Sequence, residues 1–150
     1  KVLGFASGFP DGIHPGAVIG QVIQKNLNLL IAENVDLNRV VITSMLGKLG
    51  HRTTVVGNGA EAVAALEREA FDAVLMDIQM PEMNGEEFLY YIKKSDQYKD
   101  IPFIILSEEG SSSERINLLK KGAVDFISKP FNPVELTLKV DNLMKLCRSY

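Results

Sequence analysis

With 150 residues, 46% of them hydrophobic, the chain has room for one compact domain and enough apolar surface to bury a core, which excludes wholesale disorder. Sixteen Lys and Arg against 19 Asp and Glu give a net charge of −3, so neither nucleic acid nor an anionic membrane meets the basic patch it requires. The lone Cys147 has no intrachain disulfide partner, and no apolar run approaches the roughly 18 residues of a membrane span or follows a basic start as a signal peptide would, so a cytoplasmic, reducing setting is expected.

Residues 1–26 stand apart from the rest. Gly4, Gly8, Gly12, Gly16 and Gly20 recur with Pro10 and Pro15 between them. That spacing could line a helix face, but two prolines and five glycines oppose a helix, so the stretch reads as a Gly-rich linker or N-terminal extension. Residues 27–150 read as a single domain. Five short apolar runs follow: Leu29-Leu30-Ile31-Ala32, Thr53-Thr54-Val55-Val56, Ala73-Val74-Leu75-Met76, Phe103-Ile104-Ile105-Leu106 and Val124-Asp125-Phe126-Ile127. Near-continuous runs of this kind predict strands buried on both faces.

Amphipathic stretches separate the runs. The first predicted helix turns Leu37, Val40, Val41, Met45 and Leu49 to one side and stops at Gly50. The second starts from Asn58 with Glu61 three residues on, then Ala62, Val63 and Leu66. Asn84 and Glu87 open the third, with Met83 and Phe88 at the spacing of a hydrophobic staple. The fourth follows Ser111-Ser112-Ser113, points Ile116 and Leu119 inward and ends at Gly122. Asn132, Pro133 and Glu135 begin the fifth, which lines up Leu136, Val140, Leu143 and Cys147. His51, just past the Gly50 stop, reads as a surface loop residue, and Tyr90 and Tyr91 as half core, half surface.

Alternating strands and helices predict an α/β domain with a parallel sheet and helices on both faces, its ligand site outside the carboxyl ends of the strands. Those ends carry Glu33, Asn34 and Asp36 after the first run, then Asp77, Gln79, Met80 and Pro81 after the third. Ser107, Glu108 and Glu109 follow the fourth, and Lys129 and Pro130 the fifth. Carboxylates, a hydroxyl and a lysine on one edge suit Mg²⁺ and an anion, and a carboxylate beside two cations suits phosphoryl acceptance. No Gly-rich phosphate loop, dinucleotide fingerprint or zinc-spaced Cys/His cluster is present, which argues against a nucleotide-binding or zinc enzyme.

From residue 27 to about residue 147 the chain resembles the receiver domains of two-component response regulators. The resemblance is carried by Leu30-Ile31-Ala32-Glu33-Asn34, by the run from Leu75-Met76-Asp77-Ile78-Gln79-Met80-Pro81 to Glu82-Met83-Asn84-Gly85, and by Lys129-Pro130-Phe131. With Asn38-Arg39, the first two blocks look most like receivers of hybrid sensor histidine kinases. The resemblance implies a flavodoxin-like (CheY-like) doubly wound sheet of five strands in the order 2-1-3-4-5. It makes Asp77 the phosphoacceptor from a phosphohistidine. Glu33, Asn34, Asp77 and the backbone carbonyl of Gln79 would hold Mg²⁺, and Lys129, before a cis Pro130, would bind the phosphoryl oxygens. Ser107 becomes the switch hydroxyl and Phe126 the core aromatic that follows it, altering the face of the fourth helix, fifth strand and fifth helix.

The implied partners are a histidine kinase or histidine phosphotransfer protein, with that same face as the place for a homodimer and with no direct nucleic-acid or membrane contact. The reading is of a phosphoacceptor rather than a turnover enzyme, although the parent chain could be a hybrid histidine kinase. Two positions depart from the family pattern. Asn34 stands where a second acid is usual, and Glu108 where a small residue is usual. Asp36 or Glu108 could restore the missing charge. The rival reading is a pseudo-receiver, an interaction module whose phosphorylation Asn34 and Glu108 have weakened. A metal-dependent phosphatase using Asp77 as nucleophile is less well supported, because Gln79 and Met80 offer no second acid or base.

Overall fold

The computed structural model describes residues 26–108 and 112–147, leaving aside the side chains of residues 144, 146 and 147. The expected linker up to residue 25, Glu109, Ser111 and the side chain of Cys147 lie outside the described residues. Elements alternate as β1 (Asn28–Ala32), α1 (Asp36–Lys48), β2 (Arg52–Val56), α2 (Gly59–Arg68), β3 (Ala73–Asp77), α3 (Gly85–Lys94), β4 (Phe103–Glu108), α4 (Ser112–Lys120), β5 (Asp125–Lys129) and α5 (Pro133–Cys147). All strand pairs are parallel, and the sheet order is β2-β1-β3-β4-β5, as expected.

Side chains alternate across the sheet and divide the core in two. Leu30, Ala32, Val74, Met76, Phe103 and Ile105 meet Ala62 and Leu66 of α2, Phe88, Leu89 and Ile92 of α3, and Leu118 of α4. Their neighbours Leu29, Ile31, Ala73, Leu75, Ile104 and Leu106 meet Ile42 and Leu46 of α1 and Leu136, Val140 and Leu143 of α5. Burial on both faces holds for β1, β3 and β4, whereas β2 and β5 are half exposed. The outer strands have a neighbour on one side only, so the expectation of full burial fails there.

Helix starts follow the sequence signals. Asn58 Oδ1 accepts from the Glu61 N–H at 2.8 Å, and Asn84 and Glu87 form a reciprocal capping box. Asn132 Oδ1 accepts from the N–H groups of Val134 and Glu135.

Three expectations are corrected. In α1 the buried line is Ile42 and Leu46, with Val41 and Met45 beside it, while Leu37 and Val40 are 70% and 61% exposed. This helix carries apolar residues around more than one face, so periodicity alone could not choose among them; docking against the sheet does. In α4, Ile116 is exposed and Leu118 fills the inward place. Val124 is exposed and precedes β5 rather than opening it.

His51 is also not a surface residue. It is buried, and its Nδ1 accepts the N–H of Leu27 at 3.0 Å, fixing the start of β1. The acceptor role assigns the proton of the neutral ring to Nε2. Burial lowers its pKa from the ordinary 6.5, and the charges of Asp141 and Asp72 only partly oppose this. Because the folded value lies below the unfolded one, protonation favours the unfolded chain. Stability is therefore expected to be complete above about pH 6.5 and to fall as the pH drops through that value. Denaturant midpoints between pH 7.5 and pH 5, about the normal titration range of histidine, should show this step in the native domain and lack it in His51→Gln.

Candidate functional site

The strand order brings the carboxyl ends of β1, β3, β4 and β5 together, and with them most of the residues expected to share a site. Asp77 is the last residue of β3 and is buried, paired in register with Leu106. Lys129 ends β5, and Ser107 lies one residue before the end of β4. Glu33 follows β1 and is fully buried, not a solvated surface acid. Its N–H donates to the Val56 carbonyl at 3.0 Å, which continues the β1–β2 ladder by one residue and fixes the side chain's direction.

Lys129 joins the two acids. Its Nζ donates to Asp77 Oδ2 at 2.6 Å and to Glu33 Oε1 at 3.2 Å, and the Lys129–Pro130 peptide is cis as expected. The other Asp77 oxygen, Oδ1, accepts the Gln79 N–H at 3.0 Å. Glu33 Oε2 accepts from Val35 N–H at 3.1 Å and Asn38 Nδ2 at 3.4 Å. Burial alone would pull the Lys129 ammonium down, but the hydrogen bond and charge of Asp77, and then those of Glu33, outweigh it and raise the pKa above 10.5. The lysine therefore stays charged across the neutral range. Its contribution to stability is complete below about pH 10.5 and is lost as the pH climbs through the raised value.

A cavity of about 290 Å³ opens onto this cluster, lined by Asn34, Val35, Asn38, Asp77, Ile78, Gln79, Ser107, Glu108 and Lys129. The loop after Asp77 is drawn in tightly: Gly85 N–H donates to the Ile78 carbonyl, and a Cβ on Gly85 would stand 3.2 Å from the Asp77 carbonyl oxygen. Of the two acids that could restore charge near Asn34, Glu108 lines the cavity and Asp36 does not.

The residues expected to hold a metal offer oxygen donors only, and Asp77, Asn34 and Gln79 line the cavity while Glu33 lies fully buried behind it with both carboxylate oxygens hydrogen-bonded. That chemistry fits a hard divalent cation. Two buried carboxylates against one lysine also leave an excess negative charge that a cation would offset. Among the described residues no three His, Cys, Asp or Glu side chains come together as a metal-binding group.

Phe126 packs against the core as expected, but at its edge rather than within it. It is half-buried, with the Arg115 guanidinium carbon 4.2 Å and the Lys139 Nζ 4.1 Å from its ring centroid. Arg115 Nε donates to Ser107 Oγ at 2.6 Å. Arg39 Nε donates to the Glu33 carbonyl at 2.5 Å. Nothing in the sequence pattern points to Arg115 or Lys139 at this place, because neither belongs to a strand-end motif. Only the packing of α4 and α5 beside β5 brings them to Phe126.

Comparison with known proteins identifies the family. The family described as response regulator receiver domain matches residues 29–141. The chain is 37% identical over 101 residues to the response regulator SaeR of Staphylococcus aureus, an overlap of 67% of this chain and 43% of SaeR. It thus spans less than half the length of that curated relative. Among solved structures, the receiver domain of sensor histidine kinase PA1611 from Pseudomonas aeruginosa PAO1, with a magnesium ion in its active-site cleft, is 31% identical with a TM-score of 0.73. That match covers 81% of this chain and 99% of the other. The signal receiver domain of a histidine kinase from Syntrophus aciditrophicus is 30% identical with a TM-score of 0.75, covering 83% and 94%.

Proposed function

The chain belongs to the response regulator receiver domain family, and from that premise we propose that it is a phosphoacceptor whose acceptor is Asp77. The observation that carries this reading is the buried Asp77 carboxylate at the mouth of a cavity, with Lys129 Nζ 2.6 Å away and Glu33 as second acid. One Asp77 oxygen attacks the phosphorus of a phosphohistidine on a histidine kinase or phosphotransfer protein. The P–N bond breaks, its electron pair stays on the imidazole, and the product is an acyl phosphate on Asp77. Lys129 neutralises negative charge arriving on the phosphoryl oxygens. Glu33, Asn34, Asp77 and the Gln79 carbonyl would hold Mg²⁺, which when bound would supply further positive charge to the same oxygens. Ser107 turns toward the phosphoryl group, and the change reaches Phe126 and the α4-β5-α5 face, where a homodimer would form.

Incubation with Mg²⁺ and a small phosphodonor, followed by intact mass measurement, tests the reading. A labile gain of one phosphoryl group, abolished by chelating the metal, is expected. Absence of the gain at any donor or metal concentration, and also with a kinase partner, would overturn it.

One observation favours a second reading. Asn34 and Glu108 at the cavity lining fit a pseudo-receiver that engages partners with little or no phosphorylation. Asn34→Asp separates the two. A unit charge about 4 Å from a divalent ion is worth about 2 kcal/mol even with water-like screening, so Mg²⁺ affinity should rise by about tenfold or more. Calorimetric titration measures it. If native affinity is already high and the substitution leaves it unchanged, Asn34 is not a weakness of the site.

A further inference from the structure

Arg115 in α4 does not line the acceptor cavity, yet its guanidinium is fastened to that cavity's wall. Nε donates to Ser107 Oγ at 2.6 Å. One terminal nitrogen donates to the Ser107 carbonyl at 3.3 Å, the Glu108 carbonyl at 3.1 Å and Ser128 Oγ at 3.5 Å. The plane of the same group rests on the Phe126 ring, 4.2 Å from its centroid. Arginine alone among the cationic side chains can donate in a fixed fork and stack on a ring at the same time. A lysine could neutralise charge here but could not hold both.

We propose that Arg115 is a positioning residue that latches the Ser107 hydroxyl in the unphosphorylated domain and couples its release to the Phe126 ring. The proposal rests on the reading of Asp77 as phosphoacceptor. A charge-assisted bond as short as 2.6 Å is among the stronger hydrogen bonds a serine can accept. For Ser107 to reach toward a group on Asp77, that bond must lengthen or break. A guanidinium that loses the Ser107 hydroxyl loses the Nε anchor that sets its tilt over Phe126 and keeps only the bonds of one terminal nitrogen. Phosphorylation is therefore opposed by the latch, and its opening is felt at β5 and α4 together.

Lys139 plays a different part. It donates to the Phe126 carbonyl, pairs with Glu135 at 3.1 Å and Asp125 at 3.5 Å, and has none of these contacts in common with Ser107. It steadies the ring from α5 whichever way Ser107 points. Of the two cations on Phe126, Arg115 is the one that also holds Ser107. A ligand shifts a two-state element only by its differential interaction with the two states, and the Arg115–Ser107 bond is such a difference.

The test is the Mg²⁺-dependent affinity for beryllofluoride, a phosphoryl analogue, measured by calorimetry. It uses the native chain, Arg115→Ala, Ser107→Ala and the double variant, each first shown to melt cooperatively. Arg115→Lys serves as a second variant should Arg115→Ala fail to fold, because it keeps the charge and loses the fork. Loss of a charge-assisted bond predicts binding tighter by about tenfold or more in Arg115→Ala and no effect of the same change once Ser107 is alanine. Native binding with an unchanged or weaker Arg115→Ala overturns the latch and leaves the acceptor reading standing. An equal effect in both Ser107 backgrounds also overturns it, because a merely structural role would not depend on the hydroxyl. No binding by the native chain or any variant overturns the acceptor reading and the latch with it.

Discussion

Asp77→Asn is expected to take up no phosphoryl group under conditions that load the native chain, while folding about as stably. The chemical half follows from the nucleophile: an amide oxygen cannot form the acyl phosphate. The stability half follows from the charges around it. Asp77 and Glu33 are both buried and share one cation, Lys129, at 2.6 and 3.2 Å. Removing one carboxylate leaves a one-to-one Glu33–Lys129 pair, and the isosteric amide, with a single oxygen, keeps one of the two contacts that Asp77 makes through separate oxygens, to Lys129 or to the Gln79 N–H. The change in unfolding free energy should stay within about 1 kcal/mol, since no buried charge is left unpaired. Intact mass and a denaturant titration on the same sample read both halves. A phosphoryl gain that survives in Asp77→Asn would place the acceptor elsewhere.

Lys129→Met reverses the balance and should be the most destabilising change at this site. Methionine fills the space of the lysine stem but leaves Glu33, fully buried, and Asp77, 5% exposed, with no cation between them. Removing one partner of a buried ionic cluster typically costs about 3–5 kcal/mol, because the remaining charge is neither solvated nor paired. Mg²⁺ should rescue the variant in part, because it would bind the freed carboxylates in the folded state and not in the unfolded chain. Denaturant titrations in chelator and in Mg²⁺ measure both effects. Equal stability of native and variant chains in chelator would mean that Lys129 makes no net contribution to the cluster.

The two predictions differ although Asp77 and Lys129 touch each other, and the reason is stoichiometry. Two acids and one lysine tolerate the loss of an acid and not of the lysine. Sequence could nominate all three from strand-end position. That Glu33 is turned inward onto Lys129, rather than outward into solvent, depends on its N–H joining the β2 carbonyl of Val56.

Much of the fold was legible because its signals are local. The apolar runs of β1, β3 and β4, the caps at Asn58, Asn84 and Asn132, and the stop at Gly50, which has φ +90°, each speak through a few adjacent residues. What failed was the choice among faces. The first helix has apolar side chains at Leu37, Val40, Val41, Ile42, Met45 and Leu46, and only the sheet beneath it selects Ile42 and Leu46. His51 follows a glycine stop like many exposed residues, but the start of β1 closes over it and uses its Nδ1. Neither outcome is written in a window of neighbouring residues.

The sequence by itself thus determined the alternation of strands and helices, their parallel sheet, and the identity of the polar residues that end the strands. Those properties follow from periodicity, capping chemistry and the geometry of parallel sheets, all of which act over short stretches or by general topological rule. The tertiary structure alone decided which side chains share a cation, which aromatic lies between Arg115 and Lys139, and that Ser107 is held from a helix outside the cavity. Such contacts join residues eight to ninety-six positions apart. Their energies depend on distances of a few ångströms, and those exist only once the chain has packed.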